Sequence, residues 1–453
     1  MLISQNPATE EILGEYSELS SIELERKLTL AANVSKTWST LQFSKKAELF
    51  QTFANLLLAK KEIIATTIVN EMGKTYNSAL AEIDKCILNC NYYAHNAEII
   101  LSPEIIKSTA QESYTVFEPL GIILAIMPWN FPFWQVLRFA VPTLLAGNVV
   151  VLKHASNIPQ CSQLLEEIFI EAGFELGVFQ NLHLSSANIA QVIRDERINA
   201  ITLTGSEKAG INVAKIAGEE LKKAVLELGG NDPYIVLADA DIDLAVKTGV
   251  TARLQNNGQS CICGKRFIIL EEVYEEFLAK YKQAYENYVI GNPLDPKTQM
   301  GPLISQQAVE DIDKQVRESI NLGATLITGG HKILGKGFFY KPTILADVKK
   351  GMPVYDEEVF GPVAAVIKVK TEQEALISAN DSKLGLGASI WTKDIAKAKK
   401  LARLLNVGMV FINELVKSDP SLPFGGIKKS GYGRELSSYG IKEFVNIKTV
   451  YIK

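Results

Sequence analysis

Charged and apolar residues alternate at helical spacing through the first hundred positions of the chain. Residues 22–27 and 45–50 are clear examples, and the pattern predicts amphipathic helices over about 21–97. Near Tyr114 the helical pattern gives way to short runs of β-branched residues bounded by Gly and Pro, a pattern that is typical of buried strands. The sequence therefore predicts a helical N-terminal region followed by sheet.

Between residues 120 and 237, short apolar runs alternate with helical segments. Such alternation implies a mostly parallel α/β sheet covered on both faces. The predicted strands cover residues 120–126, 149–152, 200–204, 224–228 and 234–237, and the helices cover 161–172 and 208–221. After Cys261 the alternation resumes with 266–270, 309–321 and 324–327, which predicts a second α/β domain. The strand-like tail, 443–451, needs partner strands from this chain or from another subunit.

Composition narrows the functional class. A chain of 453 residues suggests about three domains, or two with an insertion. Its 47 Lys and Arg against 51 Asp and Glu give a net charge of −4, with no basic field for nucleic acid or a membrane surface. Residues 1–15 lack the regions of a signal peptide, and no apolar run reaches the ~18 residues of a membrane span. Five cysteines are too few for a disulfide framework, so we expect a cytoplasmic enzyme with reduced thiols.

Two strand ends carry candidate cofactor-binding residues. Gly205 and Ser206 follow the strand over 200–204, and Gly210 lies in the first turn of the next helix, where a phosphate can bind. Because the full G-x-G-x-x-G fingerprint is missing, an ordinary strand–helix turn is the alternative. Lys153 closes another strand at the edge where parallel sheets bind ligands, and a solvated surface lysine is the alternative there.

Three further residues are candidates for catalytic roles. Cys261 lies among Gly and small polar residues, where a depressed pKa would supply a thiolate nucleophile, unless it is a structural cysteine. Glu227 ends an apolar strand, where burial raises the pKa toward that of a general base, unless it is a surface residue. Asn130, bracketed by Pro128 and Pro132, is either an oxyanion donor or a helix cap. No zinc-type spacing is present, so we expect no metal.

Taken in order along essentially the whole chain, these segments resemble the NAD(P)-dependent aldehyde dehydrogenases. The matching motifs occupy residues 128–132, 152–153, 203–206, 227–230, 258–261, 357–363 and 423–435. Within the family, the chain is most similar to the bacterial succinate-semialdehyde dehydrogenases, notably over 131–135 and 440–449.

The resemblance implies an α/β fold of the aldehyde dehydrogenase type, with three parts. A Rossmann-type cofactor domain is expected over 1–103 and 120–229, and an α/β catalytic domain over 230–436. A small β oligomerisation extension is expected over 104–119 and 437–453, joining a homodimer or homotetramer.

The resemblance also implies roles for individual residues. Cys261 attacks the aldehyde, and the resulting hemithioacetal can release a hydride, which leaves a thioester. The Asn130 amide and the Cys261 backbone N–H hold the oxyanion, and Glu227 activates the water that releases the acid. The residues expected at the cofactor are Trp129, Lys153, Ser156, Gly205, Ser206, Gly210, Glu358 and Phe360.

Cofactor preference is argued from Ser156. Many relatives that prefer NAD carry a Glu three residues after the ribose-binding lysine, and Ser156 has that place here. A carboxylate would repel a 2′-phosphate, whereas a hydroxyl can donate to it and Lys153 can neutralise it. We therefore expect NADP to be preferred and NAD to be used as well.

Substrate recognition is expected from Arg138 and Ser418, which match residues that bind the distal carboxylate in succinate-semialdehyde dehydrogenases. A structural ion pair is the alternative for Arg138. Two departures from the family pattern stand out: Gln255 replaces an arginine and Phe139 replaces a lysine. We expect looser selectivity from the first departure and no proton relay through Glu435 from the second.

Cys263 lies two residues from the nucleophile, and in some relatives such a pair forms a regulatory disulfide; a small buried side chain is the alternative. Two other functions stay open at this point. A relative that transfers the acyl group to coenzyme A would not need Glu227 as a base for water. A catalytically silent relative with a structural role would not need Cys261 or Asn130.

Overall fold

The computed structural model describes all residues, 1–453. It begins with an antiparallel hairpin of β1 (Leu2–Gln5) and β2 (Ile12–Tyr16), which the sequence pattern did not predict. Four helices then confirm the helical region: α1 (Ser21–Thr40), α2 (Phe43–Ala59), α3 (Lys61–Met72) and α4 (Tyr76–Ile100). A capping box of Ser20 and Glu23 begins α1, and Thr75 caps α4 through the Ser78 N–H. Two strands follow, β3 (Glu104–Ile105) and β4 (Glu112–Pro119).

A predominantly parallel sheet comes next. Its elements are β5 (Ile122–Ile126), α5 (Trp134–Leu145), β6 (Val149–Lys153), α6 (Pro159–Glu171), β7 (Phe179–Asn181), α7 (Ile189–Arg194), β8 (Ile198–Thr204), α8 (Glu207–Glu219) and β9 (Lys223–Glu227). The spatial order β9-β8-β5-β6-β7 shows that the chain builds outward from β5 and then crosses to its other side. The topological switch point therefore lies between β5 and β8, where such sheets form a ligand crevice.

A second sheet follows in the same manner. Its elements are β10 (Asp232–Val236), α9 (Ile242–Leu254), β11 (Gly264–Leu270), α10 (Glu271–Glu286), α11 (Gln306–Asn321), β12 (Thr325–Thr328), β13 (Thr343–Ala346), α12 (Pro353–Asp356), β14 (Val363–Val369), α13 (Glu372–Asn380), β15 (Leu384–Gly385), β16 (Gly387–Trp391), α14 (Ile395–Ala402) and β17 (Met409–Ile412). Its seven strands have the order β12-β13-β14-β11-β10-β16-β17, and only β12 runs antiparallel to its neighbour. β15 lies outside this sheet.

The last elements return to the earlier sheets. They are β18 (Ile427–Lys428), β19 (Gly431–Tyr432), α15 (Ser437–Ile441) and β20 (Val445–Ile452). β18 pairs with β15, and β19 pairs antiparallel with β9, so residues 431–432 join the first sheet although we expected 230–436 to form the catalytic domain. β20 pairs with β4 from Val445 opposite Pro119 to Ile452 opposite Glu112, and β3 lies on the other side of β4. The terminal strand thus has its partner within the chain, and its second edge is free.

Two hydrophobic cores support this architecture. One contains 68 buried residues around the first sheet and its helices, and the other contains 50 around the second sheet. Phe424 and Leu436, from the segment that leads back to the first sheet, belong to the first core. None of the helices is long and apolar enough to span a membrane.

Candidate active site

A left-handed turn presents Cys261. Asn256, Asn257 and Gly258 have φ of 54°, 58° and 73°, a region that Gly and Asn tolerate best. A Cβ on Gly258 would lie 2.6 Å from the backbone nitrogen of Pro362, so a side chain has no room. The Asn256 amide donates to the carbonyls of Asn130 (2.8 Å) and Gln259 (3.0 Å), which joins the cysteine loop to the loop after β5.

Two buried cationic side chains, those of Arg253 and Lys265, support this loop. Arg253 donates to the Gly258 carbonyl of the loop (3.3 Å) and to the carbonyls of Val359 (2.8 Å), Val363 (2.5 Å) and Gly361, which join the loop to the segment before β14. The Lys265 ammonium donates to the carbonyls of Ser260 (3.0 Å) and Cys261 (2.7 Å) and lies 3.3 Å from Glu358 Oε1. We did not predict either residue, and the only sequence signal is a pair of cations flanking the cysteine segment at the end of α9 and the start of β11.

A cavity of about 280 Å³ lies at the topological switch point and reaches Cys261. Of the predicted site residues, it brings together Trp129, Asn130, Gly205, Ser206, Cys261, Glu358 and Phe360. The rings of Trp129 and Phe360 meet edge to face with centroids 5.8 Å apart. A Cβ on Gly229 would overlap the Glu358 carboxylate, and one on Gly230 would overlap the Cys261 carbonyl, which accounts for the paired glycines after β9.

The other predicted cofactor residues lie outside this cavity. Lys153 ends β6 opposite Ile126 of β5 and is only 6% exposed, so it is not a solvated surface lysine. Burial lowers its pKa, and the charge of Glu18 opposes that effect. Ser156 is partly exposed in the loop that follows. Gly210 packs against Leu228, where a Cβ would lie 2.6 Å from Leu228 Cδ1.

This arrangement fits a dinucleotide. The Ser206 hydroxyl caps α8 through the Ala209 N–H (3.3 Å), and this helix of 13 residues points its N-terminus at the cavity. The buried Asn130 Oδ1 has no hydrogen-bond partner. Lys153 supplies a cation at the same sheet edge. No group of three or more His, Cys, Asp and Glu side chains is placed to hold a metal ion.

Asn130 is positioned as a donor and not as a helix cap. It is 4% exposed, and its Nδ2 donates to the Gln259 carbonyl at 3.1 Å, which leaves its second hydrogen free. α5 begins four residues later without Asn130, because Glu82 Oε1 accepts from the backbone N–H groups of Phe133 (2.8 Å) and Trp134 (3.0 Å). The capping alternative for Asn130 is therefore wrong.

The Cys261 thiol is harder to ionise than we expected. Burial raises its pKa to about 12, and the charges of Arg138 and Lys265 only partly oppose this effect. The expectation of a depressed pKa was wrong because desolvation of the thiolate outweighs both nearby cations. At neutral pH the nucleophile therefore rests as a thiol and needs a base to remove its proton.

Glu227 ends β9 just before Leu228 and Gly229, which line the cavity, but Glu227 itself does not line it. It is 2% exposed, neither carboxylate oxygen has a hydrogen-bond partner, and a Cβ on Gly425 would lie 2.6 Å from Oε1. Burial, and secondly the charge of Glu435, raise the pKa of Glu227 well above its usual range. The predicted rise is confirmed, and the surface alternative for Glu227 is wrong.

A second cavity, of about 180 Å³, reaches Cys261 from the other side. It is lined by Arg138, Ser418 and Gln255. The two predicted substrate residues therefore line the same cavity as the glutamine that replaces an arginine of the family pattern. Arg138 also forms a buried ion pair with Glu435, and its guanidinium lies 4.5 Å from the centre of the Phe424 ring. Arg138 therefore forms a structural ion pair and lines the cavity at the same time.

Lys85 of α4 lines the same cavity, and our sequence reasoning missed it. Its ammonium donates to the Ser418 hydroxyl at 2.5 Å and lies 4.5 Å from the centre of the Trp134 ring. One sequence signal was present: Glu82 and Asn89 are polar residues on the buried face of the same helix, which indicates a polar space beside it.

Cys263 is buried, and its sulfur lies 3.8 Å from the Gln255 carbonyl. All five cysteines are free thiols. A regulatory disulfide between Cys261 and Cys263 stays a prediction. Phe139 packs its ring against Phe444, with centroids 5.3 Å apart.

Comparisons with known proteins agree with this geometry. A family model described as "Aldehyde dehydrogenase family" matches residues 2–450. The chain is 46% identical to a "Probable succinate-semialdehyde dehydrogenase [NADP(+)]" of Synechocystis sp., over 99% of this chain and 98% of the relative. It is 45% identical to "Succinate-semialdehyde dehydrogenase [NADP(+)] 1" of Mycobacterium tuberculosis, with the same coverage. A crystal structure of succinic semialdehyde dehydrogenase from Streptococcus pyogenes in complex with NADP+ superposes with a TM-score of 0.98 at 39% identity, over 100% of both chains.

Proposed function

Because the chain belongs to the aldehyde dehydrogenase family, and so is an oxidoreductase that converts an aldehyde to the acid, we propose that its substrate is succinate semialdehyde and its preferred cofactor NADP. NAD is the second cofactor. One observation carries the proposal: Cys261 lies between two cavities, one at the dinucleotide crevice and one lined by Arg138 and Ser418. A sulfur in that position can attack the carbonyl carbon of an aldehyde that has the cofactor crevice on one side and the cavity lined by Arg138 and Ser418 on the other.

The first chemical step is attack on the aldehyde. The Cys261 thiol loses its proton to a base, for which Glu227 is our candidate, and the sulfur bonds to the carbonyl carbon. The carbonyl oxygen becomes an oxyanion, held by the free Nδ2 hydrogen of Asn130 and the Cys261 backbone N–H. A bound nicotinamide would supply the acceptor for the hydride that leaves this carbon.

The second step releases the acid from the thioester on Cys261. Glu227 first releases the proton it took from the thiol to solvent; as the carboxylate it then takes a proton from water while the water oxygen bonds to the thioester carbon. The C–S bond then breaks, and the sulfur takes up a proton to restore the thiol. The absence of hydrogen bonds to the Glu227 carboxylate leaves both oxygens available for this proton transfer.

We assign the cofactor contacts to Trp129, Lys153, Ser156, Gly205, Ser206, Gly210, Glu358 and Phe360. Lys153 and Ser156 would hold the 2′-phosphate that distinguishes NADP from NAD. Steady-state kinetics with both cofactors test this assignment. We expect a higher kcat/KM with NADP, and we expect Ser156→Glu to shift the preference toward NAD; an unchanged ratio in the variant would contradict the role of Ser156.

Substrate choice is tested by NADPH formation at 340 nm with succinate semialdehyde and with butanal. Butanal has the same chain length but no carboxylate to contact Arg138 and Ser418. We expect kcat/KM to favour the acid aldehyde by about tenfold or more, equivalent to about 1.4 kcal/mol of transition-state binding. Equal values would leave a broad aldehyde dehydrogenase without this carboxylate site.

We also propose a homodimer or homotetramer located in the cytoplasm. The free edge of β20 supports association, because unpaired strand edges readily pair with another chain. The five free thiols are consistent with a reducing compartment.

A further inference from the structure

The cavity lined by Arg138 and Ser418 contains one cation whose charge no carboxylate neutralises. Three basic side chains line this cavity: Lys85, Arg138 and Lys417. Arg138 forms its ion pair with Glu435, and Lys417 pairs with Glu414 at 2.9 Å. Lys85 makes no ion pair, and its ammonium contacts only the Ser418 hydroxyl and the Trp134 ring.

The single carboxylate that lines the cavity is also compensated. Glu82 Oε2 accepts from the buried Lys74 ammonium at 2.5 Å, and Oε1 accepts the two backbone N–H groups at the start of α5. After these pairs are matched, the cavity keeps one positive charge, that of Lys85. A carboxylate that entered to contact Arg138 and Ser418 would therefore find its unpaired counter-charge on α4, beside them.

Hydrogen-bond donors in the cavity agree with this charge. An ammonium has three donors, and Lys85 uses one on Ser418. Gln255 Nε2 lies buried on the cavity wall with no acceptor, and an unpaired buried donor costs about 1–3 kcal/mol until a ligand satisfies it. A carboxylate offers acceptor sites for both.

We propose that Lys85 is a specificity-determining residue that binds the distal carboxylate of the substrate, with Ser418 and Gln255 as neutral donors beside it. The inference rests on the proposed function, since it concerns an acid aldehyde in the Arg138 cavity. Lys85 then provides the positive charge that an arginine at the Gln255 position provides in some relatives, and the loose selectivity we expected from Gln255 does not follow.

Titration of Lys85 gives the proposal a second signature. Burial and the charge of Arg138 lower its pKa to about 8, opposed by Cys86, Glu82 and Asp419. The groups that face Lys85 are thus the charged Arg138 on α5, Lys417 and Asp419 on the segment after β17, and Glu82 on α4 itself, together with the titratable thiol of Cys86, whose pKa burial raises well above its usual range. The ammonium is charged below about pH 8 and loses its charge above it. We therefore expect KM for succinate semialdehyde to rise above this pH, and KM for butanal to stay level.

The test compares Lys85→Met and Lys85→Arg with wild type, using succinate semialdehyde and butanal from about pH 6.5 to 9.5. We expect Lys85→Met to raise KM for the acid aldehyde about tenfold and to remove its pH dependence near 8, with kcat/KM for butanal changed less than about twofold. Lys85→Arg should keep a low KM and lose the rise above pH 8, because guanidinium stays charged. Lys61→Met is the matched control, because its ammonium pairs with Asp84 of α4 at 2.6 Å and does not line the cavity, and it should behave as wild type.

Other outcomes overturn the proposal in distinguishable ways. If wild type prefers the acid aldehyde and Lys85→Met keeps that preference, the Lys85 assignment fails and the proposed function stands. If Lys85→Met loses butanal and acid aldehyde activity equally, Lys85 is structural. If wild type itself does not prefer the acid aldehyde, the proposed substrate fails before the variant is considered.

Discussion

At the residue level, Cys261 and Glu227 are both held in their uncharged forms. Burial raises the pKa of the thiol to about 12 and that of the carboxyl group well above its usual range. The reaction needs the opposite forms, a thiolate and a carboxylate. Proton removal from these two groups therefore controls how the rate depends on pH.

We predict that kcat/KM for butanal rises with pH between about 6 and 9. Both groups must lose a proton to act, and a raised pKa moves that loss to higher pH. Butanal is the substrate of choice because it carries no carboxylate and so does not report on Lys85. Initial rates at saturating NADP check the profile, and a level or falling profile would contradict the assigned protonation states.

We predict that Glu227→Gln lowers kcat by about 10²–10⁴-fold, since an amide cannot accept the proton. The same change should raise Tm at pH 8. The pKa of Glu227 is higher in the native state than in the unfolded state. At pH values between these two pKa values the native state holds more protons than the unfolded state, so the stability of the wild type falls as pH rises through this range. Glutamine removes this dependence.

Thermal unfolding at about pH 5 and pH 8 measures the second effect. The Tm difference between Glu227→Gln and wild type should be larger at pH 8, where the wild-type carboxyl group is closer to ionisation. A difference that is the same at both pH values would place the effect in packing and not in ionisation.

At the level of elements, the cysteine loop depends on a left-handed backbone conformation that most residue types disfavour. Gly258→Ala should destabilise the protein by about 3 kcal/mol, which combines positive φ with an overlap against the backbone of Gly361 and Pro362. Gly323→Ala is the control, because Gly323 also has positive φ (+105°) but has nothing within 4 Å of a Cβ, so it should cost only about 1 kcal/mol. Urea unfolding measures both values, and equal costs would show that the overlap is relieved by local movement.

The elements themselves were largely predictable. The strands after residue 120 are buried runs bounded by Gly and Pro, and β5, β6, β8 and β9 lie within two residues of their predicted bounds. The β1–β2 hairpin was missed because its strands are short and partly exposed.

Site residues were predictable where they stand in local motifs, and Trp129, Gly205, Glu358 and Cys261 do line one cavity. Lys85 could not be found this way, because its partner Ser418 lies 333 residues further along the chain. Lys265 lies only four residues after Cys261, but it binds backbone carbonyls, which leave no side-chain pattern in the sequence. The thiol pKa was missed for a similar reason, since desolvation depends on the whole surrounding fold.

At the level of the whole molecule, the small sheet of β3, β4 and β20 carries the free strand edge on which our proposal of a homodimer or homotetramer rests. β20 exposes Ile447 and Tyr451 beside its free edge. We predict that the double change Ile447→Lys and Tyr451→Lys dissociates the oligomer, because it places charge on an apolar strand surface. Size-exclusion chromatography with light scattering checks this mass, and Asn446→Lys, at an exposed polar position, is the control. An unchanged mass in the double variant would place the interface elsewhere.

The return of the chain to the first sheet has a consequence for biosynthesis. The surroundings of Arg138 and Glu227 are completed by residues that come more than 150 positions after Cys261: Ser418, Phe424, Gly425 and Glu435. On the ribosome, Cys261 and its loop emerge well before these residues do. Until residues 417–435 are made and fold back, Arg138 lacks the Glu435 counter-ion and the substrate cavity lacks the wall that Lys417, Ser418 and Phe424 form. The nascent chain therefore carries its nucleophile before the residues that complete the active site are made.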